Sequence, residues 1–424
     1  MKKIIILLLF FFLLISNSFC AEIDGAPDSF SGAPHAFGLA SNWLPSLTED
    51  NSIHLILGNW LLMFDGALFA SYDWQDILQA GLRSSRQFTF PNWFVIAGEH
   101  PVFEKSRFLF KTKFSFEPFT QSNNGTPLLF ETGGALSDTT FFDRQHPNDI
   151  ISELSLSYEQ FLAQNWNLFA YIAFPGDPAL GPPSYMERPS AKNNPESPLG
   201  HNWQDATHLT YGVATLGLQY SFFKIEGSIF NGNSPDQDRL NIDTPTLDSW
   251  SARFSFNPLP STAAQVSYGF IKSPNILDLT IDIQRITFSI LNISELDNKN
   301  NIATSFVWGM NTPSNGEPEN SFLLESDMEV NKNHSVYCRF EFVQKNISDL
   351  GIIASPSKIT YVNALTLGTA KKLANMTNTN IVLSLGAQAT INFVNDDLKS
   401  VYGSYPLSVQ VFLKLTPGKF EGNN

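Results

Sequence analysis

Arg107-Phe108-Leu109-Phe110-Lys111-Thr112-Lys113-Phe114-Ser115-Phe116-Glu117 decides the fold. One row of alternate residues reads Phe108, Phe110, Thr112, Phe114, Phe116. The other reads Arg107, Leu109, Lys111, Lys113, Ser115, Glu117. A period of 2 places the two rows on opposite faces of a strand, whereas a helix repeats every 3.6 residues. A bulky aromatic row backed by a cationic row suits a strand with lipid on one side and water on the other.

The same alternation recurs along the chain. Phe223, Ile225, Gly227 and Ile229 stand against Lys224, Glu226 and Ser228. Trp250, Ala252, Phe254 and Phe256 stand against Ser251, Arg253 and Ser255. Ala264 to Phe270, Val336 to Phe342, Ile381 to Ala389 and Leu407 to Leu415 repeat it. Seven or more such segments of about 9–11 residues match the spanning strands of a membrane barrel. Taking Leu62 to Tyr72 as the first full strand gives about 16 segments by this template. Thr120 to Ile150, Gly176 to Thr207, Asn231 to Leu247 and Asn311 to Asn320 are long or turn-rich connections after odd-numbered segments. Ala163 to Asn167, Asn257 to Ser261 and Asn331 to Asn333 are short ones after even-numbered segments. Asn292 to Asn301 breaks the pattern as a long connection on the short side. The fold class expected is therefore all-β, an antiparallel transmembrane β-barrel of about 16 strands with long loops on one side.

Composition agrees. Charged residues make up 16% of the 424, against roughly a quarter in average proteins. Aromatics make up 13%, which excludes a disordered chain. The mean hydropathy of -0.08 argues against helical membrane spans. The most apolar internal stretch, Ile53 to Ala70, carries His54, Asn59 and Asp65. The basic start Lys2-Lys3, the apolar run Ile4 to Ile15 and the small residues Ser18 and Cys20 form a secretory leader, with cleavage expected before Ala21. The domains read as 1–20 leader, 21–52 extended N-terminal segment and 53–424 barrel. Cleavage leaves Cys338 as the sole cysteine, so no internal disulfide and no cysteine-based zinc site can form. The net charge of -14 excludes nucleic acid as a partner, since phosphate contacts need Lys and Arg.

Several motifs occur together: Gly58-Asn59-Trp60-Leu61-Leu62-Met63, Asp143-Arg144-Gln145-His146-Pro147-Asn148-Asp149, and Gly176-Asp177-Pro178-Ala179-Leu180-Gly181-Pro182. Gly200-His201-Asn202-Trp203-Gln204-Asp205-Ala206-Thr207-His208, Phe230-Asn231-Gly232 with Pro235-Asp236, and Ser267-Tyr268-Gly269 followed by Lys272-Ser273-Pro274 complete the set. Together, from about residue 40 to the C-terminus, they resemble an uncharacterised family of proteobacterial outer-membrane β-barrel proteins, some associated with metal-efflux systems. The resemblance implies a Gram-negative cell envelope and no established activity. Members often carry a His- and Met-rich N-terminal segment, but residues 21–52 hold only His35 and no Met. Asn148 and Asn202 stand where the family often has His.

The densest polar constellation is Arg144, His146 and Asp149 with His201, Asp205 and His208, in two long connections on the same side. Imidazole with carboxylate suits Zn or Cu, but the spacing fits no single helical face, and no metal is assigned. The competing reading is a hydrogen-bonded plug in which loops entering the lumen pair their buried polar groups. Arg107, Lys111, Lys113, Lys224, Arg253 and Arg339 sit on polar rows and are expected to line the pore, where charge sets ion selectivity. Glu187-Arg188 and Asp236 to Arg239 read as loop salt bridges worth little each. No Gly-x-Ser-x-Gly, His-Glu-x-x-His or phosphate loop occurs. Enzyme activity is thus left open with no catalytic residue assigned; His208 with Asp205 and Ser184 or Ser190 is the only hydrolase arrangement. The leading function is an outer-membrane barrel that binds or passes a small solute or ion. The alternatives are a metal-binding barrel linked to metal tolerance or efflux, and an outer-membrane hydrolase. The partners implied are outer-membrane lipids and the barrel-assembly machinery, whose signal would be internal, at Phe412 or Phe420.

Overall fold

The computed structural model describes residues 43–418, apart from 123, 133, 137–138, 164, 276–277, 298–299, 353–357 and 377–379. Of 134–136 and 139–141 it describes the backbone alone. The leader, its cleavage site, His35 and Phe420 lie outside the described residues.

The sheet is one antiparallel ring. Its staves are β1 (Trp60–Gln75), β2 (Ser85–Thr89, resuming after Phe90-Pro91 as Asn92–Phe103), β3 (Ser106–Phe114), β4 (Ile151–Ala163), β5 (Trp166–Ala173), β6 (Val213–Tyr220), β7 (Phe223–Phe230) and β8 (Ser249–Leu259). β9 (Thr262–Ile271), β10 (Ile283–Asp297), β11 (Asn300–Pro313), β12 (Glu319–Val330), β13 (His334–Asn346), β14 (Ile359–Met376), β15 (Ile381–Val394) and β16 (Leu407–Pro417) follow. Each pairs with its sequence neighbour, and β16 returns to β1 through the register Leu68↔Leu415 to Trp74↔Val409. That closure removes the free edges that hydrocarbon would not tolerate. A short strand, Ile53–Leu57, turns at Gly58-Asn59 and pairs with the start of β1 from Phe64 to Trp60, below the reach of β16. The apolar stretch Ile53 to Ala70 is therefore a hairpin. Among the described residues no helix is long and apolar enough to cross a membrane.

Side-chain direction follows the alternation. Phe254 and Phe340 are 39% and 43% exposed on the outer wall, and Phe108 shares that face half-buried. Arg253 and Arg339, one residue away, are each 3% exposed. A wall apolar outside and polar inside is a transmembrane barrel. Cys338 is on the outer face and exposed.

Connections also alternate. After odd staves come the long segments 115–150, 174–212 and 231–248; after even staves come tight hairpins. Two expectations need correction. β10 runs on to Asp297 and β11 begins at Asn300, so Asn292 to Asn301 is a hairpin of two extended strands. β11 likewise runs to Pro313 and β12 begins at Glu319, so the Asn311 to Asn320 connection is short. Polar Asn, Ser and Thr on these strand ends face the lumen or the rim, where a sheet accepts them.

Three inward glycines oppose aromatic rings on the next strand: Gly217↔Phe169, Gly368↔Tyr337 and Gly386↔Phe412. A Cβ on these glycines would fall within 2.1–2.2 Å of the ring carbons. Each ring lies flat over the space its neighbour leaves, which covers the glycine backbone.

Candidate functional site

The long-loop end of the lumen is filled. The segment 174–212 carries prolines at 175, 178, 182, 183, 189, 195 and 198. Proline removes a ladder donor, so this stretch cannot extend the sheet. It folds inward as short turns, including Tyr185–Glu187, Pro189–Ala191 and a single helical turn, His201–Gln204. Gly309 on β11 receives that turn. A Cβ there would stand 2.1 Å from the Trp203 carbonyl oxygen.

Charge holds the plug across the lumen. Consecutive residues Glu187 and Arg188 reach opposite walls. Glu187 meets Lys111 at 2.9 Å and Lys113 at 2.8 Å on β3. Arg188 Nε donates to Glu325 Oε1 on β12 at 2.7 Å, and its Nη1 to Asp205 at 2.9 Å. β12 offers three successive inward acids. Glu325 takes Arg188, Asp327 accepts from Asn193 Nδ2 at 2.7 Å, and Glu329 pairs with Lys192 at 3.1 Å. Burial alone would raise the Glu187 carboxyl, but the two lysines outweigh it and hold it well below the carboxylate range. Asp205 is likewise held low against burial by His201 and Arg188. The weak loop salt bridge expected at Glu187-Arg188 is thus corrected to a buried brace in which each residue pairs elsewhere. The two residues alternate like a strand inside a narrow, dry space.

All six basic residues expected to line the pore face the lumen, and each has an acidic partner. Arg107 meets Glu99 and Glu159 at 2.9 and 2.5 Å. Lys111 also meets Glu153 at 3.1 Å. Lys224 and Arg253 share Glu226 at 3.2 and 3.0 Å, and Arg339 meets Glu325 at 3.0 Å.

The loop constellation divides. His201, Asp205 and His208 come together: His201 Nδ1 lies 2.5 Å from Asp205 Oδ1, His208 Nδ1 lies 2.9 Å from the Asp205 carbonyl oxygen, and the two rings are 5.1 Å apart. Arg144, His146 and Asp149 do not join them. Arg144 donates to Gln87 at 2.5 Å and to the Gly125 carbonyl oxygen at 2.9 Å. His146 Nδ1 lies 3.0 Å from the Pro147 carbonyl oxygen. Asp149 pairs with Arg239 at 2.9 Å and accepts from Tyr211 at 2.8 Å. Burial, reinforced by nearby Arg239, lowers His146 to about 3. Burial, reinforced by His201 and Lys113, lowers His208 to about 4. The two long segments still touch, through Ser197 Oγ on Gln145 at 2.8 Å. Among the described residues no group of three or more His, Cys, Asp or Glu is placed to hold a metal ion. The recorded bonds of both imidazoles go to Asp205, not to Ser184 or Ser190.

Above the charged layer, Leu128, Leu129, Phe130, Leu199 and Trp203 pack with Ile347, Leu350, Leu398 and Tyr402 into an apolar cap. Below it lies a cavity of about 500 Å³. Its roof is the plug from Tyr185 to Pro195. Its rim includes hairpin residues Ser221, Phe222 and Asn333, and residues 43–51 cross its mouth. Leu47 N–H donates to the Pro260 carbonyl oxygen at 3.0 Å, which ties that stretch to the β8–β9 hairpin. Sequence reasoning missed this vestibule and the acids that close the ion pairs. The alternating Glu325, Asp327, Glu329 row was a readable signal.

The fold is that of the outer-membrane porins. An anion-selective porin from Comamonas acidovorans aligns with a TM-score of 0.52 at 10% identity, over 84% of this chain and 99% of that one. Salmonella typhi OmpF, in a complex with daunomycin, aligns with a TM-score of 0.53 at 8% identity, over 86% of this chain and all of that one. No family model and no curated protein sequence matches the chain.

Proposed function

We propose that this chain is an outer-membrane barrel that takes a small solute into its vestibule from the periplasmic face and passes it only when the plug shifts. The location is supported by the apolar outer wall, the porin-like fold and the leader-like N-terminus. Short hairpins mark the periplasmic end of such barrels, and the vestibule opens at that end. The observation that carries the gate is the Glu187–Arg188 brace, which spans the lumen and separates the vestibule from the apolar cap. Lys111 and Lys113 act fully on a passing ion only once this brace lets go, because Glu187 otherwise neutralises them.

Planar-bilayer recording tests this. Wild type is expected to show small or infrequent conductance steps. Glu187→Gln with Arg188→Gln is expected to show larger and more frequent steps. A double variant as silent as wild type, yet folded, would refute the gate.

A further inference from the structure

Asp65 and Lys414 are charged side chains of the vestibule that make no ion pair within 4.0 Å among the described residues. Asp65 on β1 lines it, and its recorded bond is to the adjacent Gly66 N–H at 2.7 Å. Lys414 on β16 also lines it and is 6% exposed. Lys414 Nζ donates to the Lys192 carbonyl oxygen at 2.7 Å and to Asn193 Oδ1 at 3.3 Å. Among the described residues neither group forms an ion pair within 4.0 Å, in a lumen where the other strand cations named above are matched. Asn194 sits next in the chain, lines the same cavity, is 6% exposed, and its Nδ2 has no hydrogen-bond partner. An unpaired buried donor of this kind is costly unless something accepts from it.

Between the two charges the wall is apolar. Ala67 and Phe69 continue the inward row from Asp65, and Trp93 packs against them. Lys414 is the register partner of Phe69, and its ammonium stands 5.7 Å from that ring. Asp65 is thus four residues along β1 from the rung of Lys414. At about 3.3 Å per residue the rungs are about 13 Å apart.

We propose that the vestibule binds a short zwitterionic peptide, its ammonium on Asp65, its carboxylate on Lys414 and Asn194, and its side chains against Phe69 and Trp93. This names the solute class for the vestibule and so rests on the reading given under Proposed function. The cavity is within the range of ordinary ligand sites, which enclose about 300–1,000 Å³.

The test uses full-length refolded protein in micelles, titrated calorimetrically with leucyl-leucine, its N-acetyl derivative and its methyl ester. The free dipeptide is expected to bind best, and blocking either end is expected to cost about tenfold. Asp65→Asn is expected to lose the preference for a free amino end, and Lys414→Gln the preference for a free carboxylate. Equal binding of all three ligands to wild type, or no binding of any, would overturn the proposal without needing either variant to fold. Bilayer recording on the same preparation separates the two readings. A barrel that opens when the brace is cut but does not discriminate among the ligands defeats the peptide assignment alone. One that discriminates but never opens defeats the gate alone.

Discussion

Arg188 shows how much rests on single contacts inside this lumen. Its guanidinium is fully buried between Glu325 and Asp205. Removing one partner of such a group leaves charge stranded in a dry site, at about 3–5 kcal/mol. Arg188→Met is therefore expected to undock the plug, read as faster proteolytic cleavage within 174–212 in the folded barrel. Adding Glu325→Leu to Arg188→Met should not recover the loss, because it strands Arg339, whose acidic partner is the same Glu325. His146 gives a pH signature. Burial lowers its folded value to about 3, against 6.5 unperturbed. The neutral ring is favoured in the fold, so its contribution is complete above pH 6.5 and is lost as pH falls toward the folded value. Relative to His146→Asn, wild type should lose at most about 1.4 kcal/mol per pH unit between pH 6.5 and 4. Unfolding midpoints for both proteins across that range measure it.

Strands and loops differed in how openly the sequence displayed them. The Phe108 to Phe116 row was legible because lipid imposes one chemistry on every second residue. The plug was not. Its contacts join residues far apart in sequence, such as Arg188 with Glu325, and no local period encodes them. Asn292 to Asn301 misled for a related reason, since polar residues at strand ends resemble loops until their register is known. His201 and His208 could be placed on one side of the barrel from sequence, but only the successive turns His201–Gln204 and Ala206–His208 bring both to Asp205. At this scale the glycine–aromatic pairs make a sharp prediction. Gly386→Val would push Phe412 out of its seat, and overpacking costs typically about 1–3 kcal/mol. The unfolding midpoint should fall accordingly. Gly309→Val should leave the wall intact and displace the turn 201–204, so conductance should rise with little change in that midpoint.

The molecule is a ring whose two ends meet. Because β16 pairs only with β15 and β1, the ring cannot close until the last stave is in place. The folded protein should accordingly migrate faster on an unboiled gel than on a boiled one. Deleting 407–418 should abolish the fast species altogether. The whole-molecule arrangement also explains why net charge says little about selectivity. Most of the lumen cations named above meet nearby acids, several sharing one, and what a solute meets is set by the few that do not.

One detail of the closure bears on the strand edge beside β1. β16 covers β1 only from Leu68 to Trp74, and the short strand Ile53–Leu57 guards the stretch from Trp60 to Phe64. A chain beginning at Gly58 would still form its ring, yet it would bare a ribbon of unpaired amides at the periplasmic lip. Such a ribbon is a template for another polypeptide. The trimmed protein would be more prone to strand-swapped or stacked assemblies, because the five residues Ile53–Leu57 would no longer cover that edge.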